Sequence, residues 1–159
     1  MNVEEDSLIV ITGPTLSGKT KVMLNILEEL AINKIPTIFF CFEIPKKQIL
    51  KIIGEADNTS VVIGNTNYIE EICSVVKQGK FKITLIDGLS EIVSKYRYCL
   101  GKSDILSIFL KQLRDLSIEQ NIPIILTGAD NLEDEVKNID TLNIKTIKIN
   151  SARKHQDRF

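Results

Sequence analysis

Residues Gly13-Pro14-Thr15-Leu16-Ser17-Gly18-Lys19-Thr20 carry the spacing G-x-x-x-x-G-K-[ST] near the front of the chain. Glycines let successive backbone N–H groups wrap an anion, and a helix starting at Lys19 points its positive dipole end at the same place. In such a loop the Lys19 ammonium reaches the β and γ oxygens of a triphosphate, and the Thr20 hydroxyl serves a Mg²⁺ ion. An incidental Gly-rich turn is the alternative. Context separates the two: a strand must lead into the loop and a helix must lead out.

Two carboxylates extend this chemistry. Ile83-Thr84-Leu85-Ile86-Asp87 is an apolar run ending in an acid, so Asp87 is either the second metal-holding group or a plain strand-end cap of the next turn. Sheets of this kind gather ligands at the carboxyl ends of their strands, which favours the metal role once the loop is accepted. Glu43 follows the very apolar run Thr37 to Phe42 and would emerge at that same edge. There it could orient and polarise an attacking water, or simply complement the positive end of the next helix. Spacing alone does not choose.

The elements that must position these groups are legible as an alternation of short β-branched runs with longer stretches of helical period, the signature of β-α-β units around a parallel sheet. The expected strands are Leu8 to Thr12, Thr37 to Phe42, Ser60 to Ile63, Ile83 to Asp87, Pro123 to Thr127 and Ile144 to Ile149. Most are continuous apolar runs, as strands covered on both faces should be. Lys19 to Asn33 places Val22, Met23, Ile26, Leu27 and Leu30 on one helical face, and Ile105 to Gln120 repeats the pattern with Leu106, Phe109, Leu110, Leu113 and Leu116. Pro45 opens a further helix with Ile49, Leu50 and Ile53, and Asn67 to Lys77 forms another, with Ile69, Ile72, Val75 and Val76 inward. Ser94 to Ser103 and the acidic Leu132 to Leu142 read as exposed loops. One α/β domain is expected over residues 1–150, followed by a basic tail at 151–159.

Composition narrows the function classes. The 159 residues hold 20 Lys+Arg against 21 Asp+Glu, a net charge of −1 that argues against a protein coating duplex DNA or a membrane surface. A chain of this length buries roughly 70% of its unfolded surface and needs no staples. Cys41, Cys73 and Cys99 lack the spacing of a zinc site or a disulfide framework and read as reduced thiols. The acidic start MNVEEDS and the absence of an apolar run near ~20 residues lead us to expect a cytoplasmic protein without signal or anchor.

With these residues in view, the sequence resembles the ATPase domain of DnaB-type replicative helicases, in the RecA-like branch of P-loop proteins. The resemblance rests on G-P-T-L-S-G-K-T, T-I-F-F-C-F-E-I-P-K-K-Q, I-T-L-I-D-G-L-S-E-I and L-K-Q-L-R-D-L-S-I-E-Q-N-I-P-I-I-L, with S-V-V-I-G-N-T-N-Y-I-E-E-I fitting an extra strand and helix. It implies a three-layer RecA-like P-loop NTPase fold with a mostly parallel sheet, Mg-dependent ATP hydrolysis linked to DNA replication or recombination, and ATP and Mg²⁺ as cofactors. It also makes Glu43 the catalytic base. Aligning I-K-I-N-S-A-R-K with the family's K-x-R ending puts Arg153 where an arginine finger reaches a neighbouring subunit's site in a homo-oligomer, a contribution of about 10³ to 10⁵ in rate, with Ser151 where a lysine is usual.

The sequence also departs from that family. The N-terminal partner domain and linker helix of its helicase chains have no counterpart, and Thr127-Gly128 stands where a Ser-Gln pair is usual. Lys95, Arg97 and Lys102 occupy a DNA-facing loop, with Tyr96 and Tyr98 interleaved as stacking candidates for single-stranded DNA. Two alternatives therefore accompany the ATPase reading. One is a non-hydrolysing nucleotide-binding adaptor. The other is a small nucleoside kinase, since G-P-T-L-S-G-K-T and I-P-I-I-L-T-G-A-D are also similar to pieces of thymidine kinase, although the paired zinc cysteines and lid of that family are missing.

Overall fold

The structure, a computed structural model, describes residues 7–14, 17–54, 60–96, 102–128 and 144–149, with the backbone alone at 102–104. The elements run β1 (Leu8–Thr12), α1 (Lys19–Ile32), β2 (Thr37–Cys41), α2 (Lys46–Ile53), β3 (Val61–Gly64), α3 (Ile69–Gln78), β4 (Ile83–Asp87), α4 (Leu89–Ser94), α5 (Lys102–Gln120), β5 (Ile124–Thr127) and β6 (Ile144–Lys148). The strands form one six-stranded sheet in the order β3-β2-β4-β5-β1-β6, and every pairing is parallel.

The topology explains which helices lie on which side. The chain steps toward the β3 edge as it passes from β1 to β2 to β3, and back toward the β6 edge through β4, β5 and β6. Right-handed crossovers require helices on opposite faces for opposite directions of travel. Accordingly, α1 and α2 cover one face, where Ile9, Ile11, Phe39 and Leu85 meet Met23, Leu27, Ala31 and Ile49. The other face packs Val10, Phe40, Ile86 and Leu126 against Ile72, Ile92, Phe109, Leu110 and Leu113 of α3, α4 and α5. The result is three layers, with β1, β4 and β5 buried along their whole length as the continuous apolar runs require.

Every expected strand is present, and each boundary lies within one residue of its expected place. The helices need more correction. Residues Leu89–Ser94 form α4, which the sequence reading did not separate, because six residues are too few to show a helical period. Gly88 starts it at φ +103°, a left-handed conformation that glycine adopts without a side-chain penalty. The loop expected over Ser94 to Ser103 is correspondingly narrower, since Ser94 ends α4 and α5 already begins at Lys102. The acidic segment Leu132 to Leu142 and the tail at 151–159 lie outside the described residues.

Candidate functional site

The phosphate loop leaves β1 at Thr12 and enters α1 at Lys19, so the strand-loop-helix context is present. Two glycines are required for distinct reasons. A Cβ on Gly13 would sit 2.8 Å from the Ile149 carbonyl oxygen and 2.8 Å from Ser17 Oγ, so only glycine fits beneath β6. Gly18 caps α1 at φ +93° with open space around it, and its need is conformational. Thr15 and Leu16 lie outside the described residues.

Charge around this loop is arranged for an anion. The first turn of α1 holds no acidic residue and instead places Lys19 and Lys21 at the positive end of the helix dipole, a locally unfavourable choice that a bound anion reverses. Lys19 Nζ donates to the Gly13 carbonyl and, at 3.2 Å, to the Pro14 carbonyl, so the ammonium lies across the loop. Ser17 N–H closes the loop onto the Pro14 carbonyl at 3.1 Å. The Thr12 and Ser17 hydroxyls, on either side of it, are buried and have no hydrogen-bond partner. Buried polar atoms are usually satisfied, so two at one loop mark a place built to meet another group.

The register of the sheet brings further residues into one row. Cys41 pairs with Asp87, Asp87 with Thr127, and Thr127 with Ile11, each at or near the carboxyl end of its strand. Strand alternation puts the row on the α1 side, since Asp87 follows Leu85, and Thr127 follows Ile125, by two residues. Asp87 is only 4% exposed. Its Oδ1 accepts a 2.6 Å bond from Thr127 Oγ1, its Oδ2 accepts a weaker one from Cys41 Sγ at 3.7 Å, and Gly88 N–H donates to the same Thr127 Oγ1 at 2.9 Å. Burial is the main force raising the Cys41 pKa; the neighbouring Glu43 and Ile44 amides oppose it and the Asp87 charge adds to it. The thiol therefore stays protonated as a donor.

Glu43 stands exposed two residues beyond the end of β2, at the same edge of the sheet. Thr20 is half-buried in the first turn of α1. The structure thus gathers Lys19, Thr20, Glu43 and Asp87 at the carboxyl edge, as the sequence reading expects. It adds Cys41 and Thr127, which that reading did not connect to Asp87. The missing signal was the order β2-β4-β5, which makes three strand ends neighbours.

The candidate DNA loop is different. Lys95 lies over the Tyr68 ring, 5.7 Å from its centroid, and so belongs to the start of α3. Tyr96 packs edge-on against Phe109 with centroids 5.0 Å apart and against Tyr68 at 6.5 Å. Its hydroxyl donates to Glu70 Oε2 and accepts the Ile69 N–H at 3.3 Å. The Tyr96 ring is therefore a wall of the core and a cap for α3, and the exposed aromatic is Tyr68. Arg97, Tyr98 and Arg153 lie outside the described residues, as does the side chain of Lys102.

This cap has a consequence for pH. Desolvation, reinforced by the hydrogen bond to Glu70, pushes the Tyr96 phenol up to about 12, from an ordinary value of 10.0. A group that holds its proton more tightly when folded contributes stability that is present below pH 10 and lost as pH rises through 12. Thermal melts in alkaline buffers are expected to show Tm falling across that window. Tyr96→Phe should flatten the fall, and an unchanged profile in that variant would remove Tyr96 as its source.

No protein-family model matches the sequence. An uncharacterized ATP-binding protein of Methanocaldococcus jannaschii is 26% identical over 137 residues, covering 65% of this chain and 38% of that protein. Among solved structures, a DnaB-like helicase ATPase domain superposes with a TM-score of 0.69 at 15% identity, covering 80% of this chain and 58% of that one. A DnaB-like replicative helicase, solved in a study of its interactions with primase, gives 0.68 at 15% identity, covering 79% and 39%. The chain thus spans well under two thirds of the length of each protein it matches. An all-parallel sheet with its phosphate loop after β1, together with these superpositions, gives the chain the RecA-like P-loop NTPase fold seen in DnaB-like helicase ATPase domains.

Proposed function

We propose that this chain is a Mg-dependent ATPase that binds ATP at Gly13, Pro14, Thr15, Leu16, Ser17, Gly18, Lys19 and Thr20 and hydrolyses it with Glu43 as the base. The observation that carries this reading is the loop itself: Lys19 laid across its carbonyls, two unsatisfied hydroxyls beside it, and an acid-free helix end behind it. The relative from Methanocaldococcus, described as ATP-binding, supports adenine nucleotide as the ligand.

Thr20 and Asp87 are the residues that would hold the cation, one hydroxyl and one carboxylate at the edge where the loop opens. Among the described residues no group of three or more His, Cys, Asp and Glu converges, so phosphate and water oxygens would complete the shell, as Mg²⁺ prefers. The ion supplies charge neutralisation for the phosphate oxygens. This chain's own part is positional. Lys19 holds the phosphates by charge, and Glu43, free at the rim, takes a proton from water.

Single-stranded DNA as a partner, contacted by Lys95, Arg97 and Lys102, and a homo-oligomer in which Arg153 acts in trans complete the reading by analogy with the helicase domains. A specific observation favours a second reading, the non-hydrolysing adaptor. The Thr127 hydroxyl is committed to Asp87 and Gly88 instead of standing free to sense a γ-phosphate. A single-turnover assay with and without single-stranded DNA decides. Turnover that DNA accelerates and that rises with protein concentration supports the oligomeric ATPase. Tight ATP binding without turnover supports the adaptor.

A further inference from the structure

We propose that Thr127 is the positioning residue of the Asp87 carboxylate, aiming it at the cation that accompanies the nucleotide. The inference rests on the reading of Asp87 as the metal-holding acid and extends it to a second strand. A threonine hydroxyl has one proton and two lone pairs. The Gly88 N–H, 2.9 Å away, occupies one lone pair, and the proton points to Asp87 Oδ1 at 2.6 Å. Thr127 itself is 2% exposed and anchored in β5, directly opposite Asp87 in the sheet register. Its branched Cβ restricts χ1, so the hydroxyl is held where it is needed.

A hydrogen bond to a carboxylate is roughly twice as strong as one between neutral groups. Cys41 offers only a long thiol contact on the other oxygen, so Thr127 is the stronger of the two restraints on the Asp87 rotamer. The same oxygen fixes Gly88, the residue that turns β4 into α4. Thr127 therefore joins three elements at one atom: the acid of β4, the start of α4 and the end of β5.

Partners that orient a metal ligand are worth about 10- to 100-fold in metal affinity. The test is the Mg²⁺ dependence of ATP binding by the full chain, measured by titration in Mg²⁺ and in EDTA. Thr127→Val is expected to weaken the apparent Mg²⁺ affinity by about that factor while ATP affinity in EDTA stays unchanged, and Thr127→Ser is expected to restore it. If the valine variant does not fold, Thr127→Ala is read in the same way. Unchanged Mg²⁺ dependence in the folded variant overturns the proposal, as does an equal loss with and without Mg²⁺. Asp87→Asn separates the two levels: it is expected to abolish the Mg²⁺ contribution. If it does not, the assignment of Asp87 falls and the proposal falls with it.

Discussion

Lys19→Ala is expected to weaken ATP binding by about 10²- to 10³-fold, because it removes the one ammonium that lies across the phosphate loop. The fold should not suffer. Lys19 is only half-buried and sits in a first turn where a cation opposes the helix dipole. Alanine is the better helix former there, so the stability change should stay within about 0.5 kcal/mol. Equilibrium binding of a fluorescent ATP analogue, paired with a urea melt, reads both quantities. Wild-type affinity in a folded Lys19→Ala protein would show that the loop is a turn and not a phosphate cradle.

Glu43→Gln is expected to lower ATP turnover by about 10²- to 10⁴-fold, the usual contribution of a positioned base, with ATP affinity nearly unchanged. Glutamine keeps the size of the side chain and loses only its capacity to accept the proton from water. Glu43 is exposed and lies beyond the end of β2, so neither the sheet nor the loop depends on it. Phosphate release in single-turnover conditions is the measurement. Equal turnover in wild type and variant would remove Glu43 from the mechanism, and its role at the start of α2 would then be the electrostatic one.

The contrast between these two residues shows how the site could be read before the structure. The motif around Lys19 is local: a glycine-bounded loop, a strand before it and a helix after it are all spelled in consecutive residues. Strand positions were equally plain, because strands such as Ile83–Asp87 and Ile124–Thr127 are buried on both faces and so appear as unbroken apolar runs. α4 was hidden, being too short to display a period. The bond from Thr127 to Asp87 spans 40 positions and exists only because β5 lies beside β4. Sheet order is a product of crossover direction and packing, and no residue in either strand states it. Tyr96 shows the reverse case. Its place among basic residues reads as a stacking platform, whereas Phe109 and the α3 amides supply partners that only the packed fold reveals.

The most direct test of the central claim is isothermal calorimetry of the folded full chain with ATP in the presence of Mg²⁺. Saturable heat with one nucleotide per chain, lost in Lys19→Ala, is the predicted result. No heat for ATP, ADP or GTP from well-folded protein would contradict the phosphate cradle and, with it, both the ATPase and the adaptor.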